Sequence, residues 1–143
     1  RMPAEHYQGT QFDKILLDAP CSATGSIRKS LKTPLMWNPK ATKNLALTQK
    51  SLIRAAFEAL KDKGILVYST CTLEPEENEG VVDYLLTNYK NAELENIELN
   101  IKRSPAVESF EGVEYSLEIR KCLRIWPQDN DTCGFFVARI RKV

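Results

Sequence analysis

Short apolar runs alternate with longer amphipathic stretches along this chain, and their periods predict its elements. Residues 12–18 read FDKILLD, a continuous Ile-Leu-Leu run that Asp18-Ala19-Pro20 stops, as a buried strand does. Continuous rather than alternating apolar character suits a parallel strand covered on both faces. Residues 22–40 hold Gly25, Pro34, Pro39 and many small polar groups, and so predict a loop. Over 41–60, Leu45, Leu52, Ile53, Ala56 and Leu60 recur at helical spacing, and Gly64 follows as a stop. Residues 64–71 form a second buried strand. Pro75 then stands where a first helical residue would, with Glu76, Glu77 and Glu79 in the opening turn. That helix runs through Val81, Val82, Leu85 and Leu86 to about Tyr89. Leu94, Ile97, Leu99 and Ile101 alternate and predict a strand over 92–101, followed by an irregular acidic stretch over 102–118. Two further strands, 123–126 and 134–140, are joined by a connection short enough for a hairpin.

Strand, helix, strand, helix, strand is the order of an α/β layer structure with a largely parallel sheet. Ligands of such sheets sit beyond the carboxyl ends of the strands. The segments 18–25 and 71–78 both fall there. Each carries a cysteine, Cys21 and Cys71, and neighbouring strands would bring the two together. No internal repeat, low-complexity tract or interdomain linker interrupts the chain.

Composition narrows the class. At 143 residues, 43% of them hydrophobic, the chain has the size of one globular domain. No apolar run approaches the roughly 18 residues of a membrane span. The first residues, RMPAEHYQGTQ, show no charged start followed by an apolar stretch, so no secretory signal is visible. The net charge of +1 hides a segregation. Residues 1–72 carry eleven Lys/Arg against five Asp/Glu, residues 73–118 three against twelve, and residues 119–143 six against two. Basic ends around an acidic middle are compatible with a basic face for a polyanion as well as with ordinary solvated charge. The four cysteines, Cys21, Cys71, Cys122 and Cys133, include no C-x-x-C pair, and His6 is the only histidine. Neither a structural zinc site nor a disulfide framework is expected, which leaves free thiols in a cytoplasmic protein. Packing as a small apolar group is the ordinary fate of such a thiol.

Two segments say more than their periodicity. Asp18-Ala19-Pro20-Cys21-Ser22-Ala23-Thr24-Gly25 and Tyr68-Ser69-Thr70-Cys71-Thr72-Leu73-Glu74-Pro75-Glu76-Glu77-Asn78-Glu79 closely resemble the two signature motifs of the Sun/Fmu-type RNA cytosine-5 methyltransferases. Gly134-Phe135-Phe136-Val137-Ala138 resembles that family's last core strand. The resemblance implies a Rossmann-like methyltransferase sheet, mostly parallel with an antiparallel last strand. It implies S-adenosylmethionine as cofactor and a single-stranded or flipped cytosine in ribosomal or transfer RNA as target, with no metal and no membrane partner. It further implies that Cys71 attacks carbon 6 of the base and that Cys21 assists release of the methylated product. Asp18 and Pro20 would lie beside the cofactor. Asp18, Ser22, Thr24 and Gly25 would lie beside the cytosine, and Arg28 and Lys29 along the RNA. Lys32, Lys40 and Lys43 are further candidates for phosphates, and Trp37 and Trp126 for stacking on bases or packing within the fold.

One departure is large. The family holds its cofactor through a Gly-rich turn after the first strand, and none of the six glycines here forms a G-x-G cluster. The expectation is therefore a carboxy-terminal part of a methyltransferase domain over 1–143, with the cofactor-loop half elsewhere and no turnover by this part alone. A DNA cytosine-5 methyltransferase, which also uses a Pro-Cys nucleophile, and a non-enzymatic RNA-binding module are the rival readings.

Overall fold

The computed structural model describes residues 11–143, so His6 lies outside the described residues. Strand β1 (Phe12–Asp18) is followed by the short helix α1 (Thr33–Met36), the long helix α2 (Pro39–Glu58) and strand β2 (Leu60–Thr70). Helix α3 (Glu79–Asn88), strand β3 (Ala92–Glu95) and a small hairpin, β4 (Ser109–Phe110) and β5 (Val113–Glu114), come next. Strand β6 (Leu123–Ile125), the single turn α4 (Pro127–Asn130) and strand β7 (Phe135–Lys142) complete the order.

The sheet runs β1-β2-β7-β3, with β6 also on β7. β1 and β2 are parallel, with Leu16 opposite Val67 and Asp18 opposite Ser69. β7 enters between β2 and β3 and is antiparallel to both, with Tyr68 opposite Ala138 and Leu94 opposite Ile140. The last strand thus runs against all the others, as expected of this α/β fold. β6 and β7 form the expected hairpin, with α4 in their connection.

One face of the sheet makes the core. Leu66, Tyr68, Leu94, Phe136, Ala138 and Ile140 pack there against Ile53 and Phe57 of α2 and Val81, Val82 and Leu85 of α3. Asn38 caps α2 by accepting from the Lys40 and Ala41 amides, and Pro39 follows at the first helical position. The buried stripe of α2 is Thr42, Ala46, Gln49, Ile53 and Phe57. This is rotated from the leucine-rich face that the sequence favours, and Leu47 is left exposed. The other face of the sheet is open among the described residues. Leu16 is 71% exposed, and Ile65, Val67 and Val137 are only half-buried. β1 is therefore covered on one face, not on both.

Two further expectations are corrected. The strand over 92–101 ends at Glu95, because the rest of that edge of β7 is taken by β6. The irregular stretch over 102–118 contains the β4–β5 hairpin, whose two turn residues, Glu111 and Gly112, both have positive φ. That geometry belongs to a tight two-residue hairpin turn, which Gly112 permits without strain. No described helix is long and apolar enough to cross a membrane.

Candidate active site: two cysteines between stitched loops

The parallel register of β1 and β2 brings both strands to the same level at their carboxyl ends. The ladder extends one step further, with the Ala19 amide donating to the Ser69 carbonyl at 3.0 Å. Beyond it the chains leave the sheet side by side, and the Cys21 and Cys71 sulfurs lie 3.4 Å apart. Both are free and half-buried. Fifty residues of sequence separation are thus closed by strand pairing alone.

The two loops are tied at several points. The hydroxyls of Ser22 and Thr24 meet the Thr72 hydroxyl at 2.8 and 3.0 Å, and the Leu73 amide donates to Thr24 Oγ1 at 2.9 Å. The Gly25 amide donates to the Cys71 carbonyl at 3.0 Å, and the Gly25 carbonyl accepts from the Gly134 amide at 2.9 Å. Gly25 therefore bridges the second loop to the start of β7. A Cβ on it would stand 2.6 Å from the Gly134 carbonyl oxygen and 2.7 Å from that of Cys71. Both are backbone atoms and neither can turn aside. Gly25→Ala is expected to destabilise the protein by about 1–3 kcal/mol, the usual cost of overpacking, and to separate the loops. A lowered urea midpoint in circular dichroism checks this, and an unchanged midpoint contradicts it.

A buried polar layer supports the loops from below. Gln49 of α2 donates through Nε2 to the Pro20 carbonyl and to Glu77 Oε2, both at 2.8 Å. The same carboxylate oxygen accepts from the Ser22 amide at 3.0 Å. The Tyr68 hydroxyl donates to the Glu77 carbonyl at 2.6 Å, and burial with the Glu77 charge pushes its pKa well up. Asn78 accepts from Thr70 Oγ1 at 2.5 Å and donates to the Thr72 carbonyl at 3.0 Å. Arg124 of β6, 1% exposed, forks onto both oxygens of buried Glu79 and donates through its remaining nitrogen to the Leu73 carbonyl at 2.9 Å. The Arg124 and Glu79 charges match each other, as burial requires, whereas Gln49 Oε1 and Glu77 Oε1 are buried without a hydrogen-bond partner.

Electrostatics separate the groups. Burial first, and then the hydrogen bond with Cys71, push the Cys21 thiol up to about 12, so it holds its proton through the neutral range. Burial raises Glu74, while hydrogen bonding from Thr24 and Trp37 opposes the rise. A thiol just before a helix would feel that helix's dipole. Here a 3-10 turn, Pro75–Glu77, intervenes, and α3 begins only at Glu79.

The remaining sequence candidates fall in different places. Asp18 is exposed at the end of β1, its carboxylate accepting from Ser69 Oγ at 3.3 Å, and Pro20 is exposed beside it. Ser22, Thr24 and Gly25 are half-buried or buried in the stitching just described. Arg28 pairs with Asp131 at 2.5 Å, Lys43 pairs with Glu111 at 3.4 Å, and Lys29, Lys32 and Lys40 are exposed. The Trp126 ring packs over the Arg124 guanidinium at 5.4 Å, whereas Trp37 is 49% exposed. Among the described residues no group of three His, Cys, Asp or Glu side chains could hold a metal.

The sequence reading missed Gln49 and Arg124, and took Glu77 and Glu79 only as helix-start charges. A glutamine in step with Ala46 and Ile53 on the buried stripe of α2 was the available signal for the first. Arg124 inside a three-residue strand carried none, since its partner lies 45 residues away.

The family model described as "16S rRNA methyltransferase RsmB/F" matches residues 1–141. A tRNA (cytosine(49)-C(5))-methyltransferase of Pyrococcus abyssi is 51% identical over 136 residues, covering 95% of this chain and 43% of the relative. Ribosomal RNA small subunit methyltransferase F of Klebsiella pneumoniae is 44% identical over 131 residues, 92% of this chain and 26% of the relative. Among solved structures, a methyltransferase homolog protein from Pyrococcus horikoshii superposes with a TM-score of 0.81 at 40% identity, covering 97% of this chain and 42% of that one. NSun6 from Pyrococcus horikoshii, solved with SFG, gives 0.77 at 36% identity, covering 100% and 34%. Sheet order and the likeness to solved methyltransferases define a unit of the Rossmann-like methyltransferase fold. The chain belongs to the 16S rRNA methyltransferase RsmB/F family. It spans about a quarter to two-fifths of the length of these curated relatives.

Proposed function

We propose that the protein methylates carbon 5 of cytosine in ribosomal or transfer RNA, with S-adenosylmethionine as methyl donor and Cys71 as covalent nucleophile. The observation that carries this reading is the 3.4 Å approach of the Cys21 and Cys71 thiols at the ends of adjacent parallel strands. Carbon 5 of cytosine is a poor nucleophile. Addition of the Cys71 thiolate to carbon 6 forms a sulfur–carbon bond and moves a π electron pair onto the ring, so carbon 5 behaves as an enamine. After methylation, loss of the carbon-5 proton restores the double bond, and the sulfur leaves with its electron pair. One hard step is split into easier ones. The base must leave its stack to reach the thiols.

Other residues take roles around this step. Cys21, protonated at neutral pH, offers an S–H to the departing Cys71 sulfur. Asp18 presents an exposed carboxylate in the crevice beyond the strand ends, where ligands of α/β sheets bind. Such an acceptor suits both a positively charged sulfonium cofactor and the amino edge of cytosine, and Pro20 fixes the turn beside it. When bound, S-adenosylmethionine supplies an electrophilic methyl group; SFG, held by one solved relative, is its analogue. Ser22, Thr24 and Gly25 shape the base site by holding its two loops together. Arg28 and Lys29 are suited to the phosphates of the RNA.

This chain is then the carboxy-terminal part of a larger methyltransferase domain. Parallel sheets are covered on both faces, yet among the described residues Leu16, Ile65, Val67 and Val137 lie on a face without helices and no strand pairs with the outer edge of β1. Further strands on that edge and helices on that face would complete the cofactor side.

The test uses RNA transcripts carrying 5-fluorocytidine, in which position 5 cannot lose a proton and the adduct is trapped. The whole enzyme that carries this chain is expected to form an adduct that survives denaturing electrophoresis, and its Cys71→Ala variant none. An undiminished yield with Cys71→Ala overturns the assignment.

A further inference from the structure

A second cavity opens beside the cysteine loop. It has a volume of about 340 Å³ and is walled by Ser22, Ala23, Met36, Trp37, Ala41 and Leu45. That lies at the small end of the range for small-molecule sites, about 300–1,000 Å³. Its walls are mostly apolar, and its best-placed flat surface is the half-exposed Trp37 indole. The indole lies beside the second motif, where it opposes the rise of the Glu74 carboxyl. The segment around it is the least acidic part of the chain. Between Asp18 and Glu58 there is no carboxylate, while seven lysines and arginines fall there. Lys32 and Lys40 are exposed neighbours in sequence of wall residues, and Leu31, Leu35 and Met36 lie open to solvent beside them. An apolar, aromatic-walled pocket with the exposed Lys32 and Lys40 next to wall residues Thr33 and Ala41 matches an unstacked nucleobase with its phosphates, since stacking is tolerant of sequence and cations meet the backbone.

We propose that this pocket receives the base of an RNA nucleotide adjoining the target cytosine, laid against the Trp37 indole. The inference rests on the RNA methyltransferase reading above. The pocket shares Ser22 and Ala23 with the loop that carries Cys21, so its occupant is a near neighbour of the base at the two thiols. A half-exposed indole in the wall makes Trp37 a residue that selects and positions RNA rather than one that reacts.

The experiment measures binding apart from catalysis, by fluorescence anisotropy of a labelled single-stranded oligocytidine decamer. Trp37→Ala is expected to weaken binding roughly tenfold, within the range that base–aromatic stacking supplies. Trp37→Phe, which keeps a stacking face but loses the indole N–H to Glu74, is expected to stay within about threefold of the wild type. Unchanged thermal melting of both variants keeps the comparison to the pocket. Binding by Trp37→Ala equal to the wild type overturns the proposal, and so does an equal loss in both variants, which would mark a structural role through Glu74. If the wild type traps a 5-fluorocytidine adduct while Trp37→Ala binds normally, the pocket falls alone. If the wild type neither binds the decamer nor forms the adduct, the RNA reading falls with it.

Discussion

In the whole enzyme that carries this chain, Cys21→Ala is expected to accumulate a covalent adduct on ordinary cytosine RNA, where the wild type turns over and leaves none. The reason lies in the proton on Cys21. Burial and the hydrogen bond to Cys71 push this thiol up to about 12, so it stays protonated while its sulfur lies 3.4 Å from that of Cys71. A thiol in that state makes a poor nucleophile but keeps its S–H available as a weak hydrogen-bond donor. Its use comes when the Cys71 sulfur departs with an electron pair, because a hydrogen bond to the nascent thiolate lowers the barrier to release. Removing a positioned proton donor slows such a step by about 10²–10⁴-fold. The adduct should be visible on denaturing gels without fluorinated base, with multiple turnover reduced by at least about a hundredfold. Cys21→Ser, which retains a donor, should recover part of the release. Since Cys21 does not lose its proton below about 12, the wild type should show no fall in release rate between pH 7 and 9 that Cys21→Ser removes. Normal turnover by Cys21→Ala with no adduct would end this role for Cys21.

Glu79→Ala should be the most damaging single change to stability. Arg124 and Glu79 are both buried, and their bidentate contact is at 2.6 and 2.8 Å. Removing the carboxylate strands a guanidinium in the core, a change that costs about 3–5 kcal/mol. It also frees the Val107 amide, which donates to Glu79 Oε1 at 3.0 Å. Urea denaturation should show a loss of that size. The double variant Glu79→Leu with Arg124→Met carries no buried charge, and apolar replacement of a buried pair is commonly neutral or better. Its stability should largely return. Its adduct formation should not, because Arg124 no longer donates to the Leu73 carbonyl two residues beyond Cys71. Equal recovery of both would show that Arg124 matters only to the core.

Sequence pattern and structure agree where one local rule acts alone. The Ile-Leu-Leu run of β1, the apolar run of β2 and the Pro-led start near α3 each obey a single periodicity or cap, and each stands where expected. The alternation over 92–101 misleads because strand length was set elsewhere. β6 takes Phe135–Val137 of the shared edge, so β3 has only Arg139–Lys142 to pair with. On α2, leucines draw attention to one face, but the core accepts Gln49 because the Pro20 carbonyl and Glu77 need a donor there, and Thr42 because its hydroxyl donates to the Asn38 carbonyl. For the site, the motif wording led to both cysteines, and strand register accounts for their meeting. The supporting layer stayed hidden because it is built from charged and polar residues that ordinarily face water, and their partners are distant in sequence.

β7 follows the other described strands in sequence but lies inside the sheet. Its pairs with β2 join residues as far apart as Ile65 and Arg141, and the Gly134 amide at its start ties down Gly25. Contacts of such long range form slowly, and until they form, β2 presents an open edge that invites other chains. β1 and β2 can therefore meet before β7 arrives, but the loops bearing the two thiols are clamped only when that strand slides between β2 and β3.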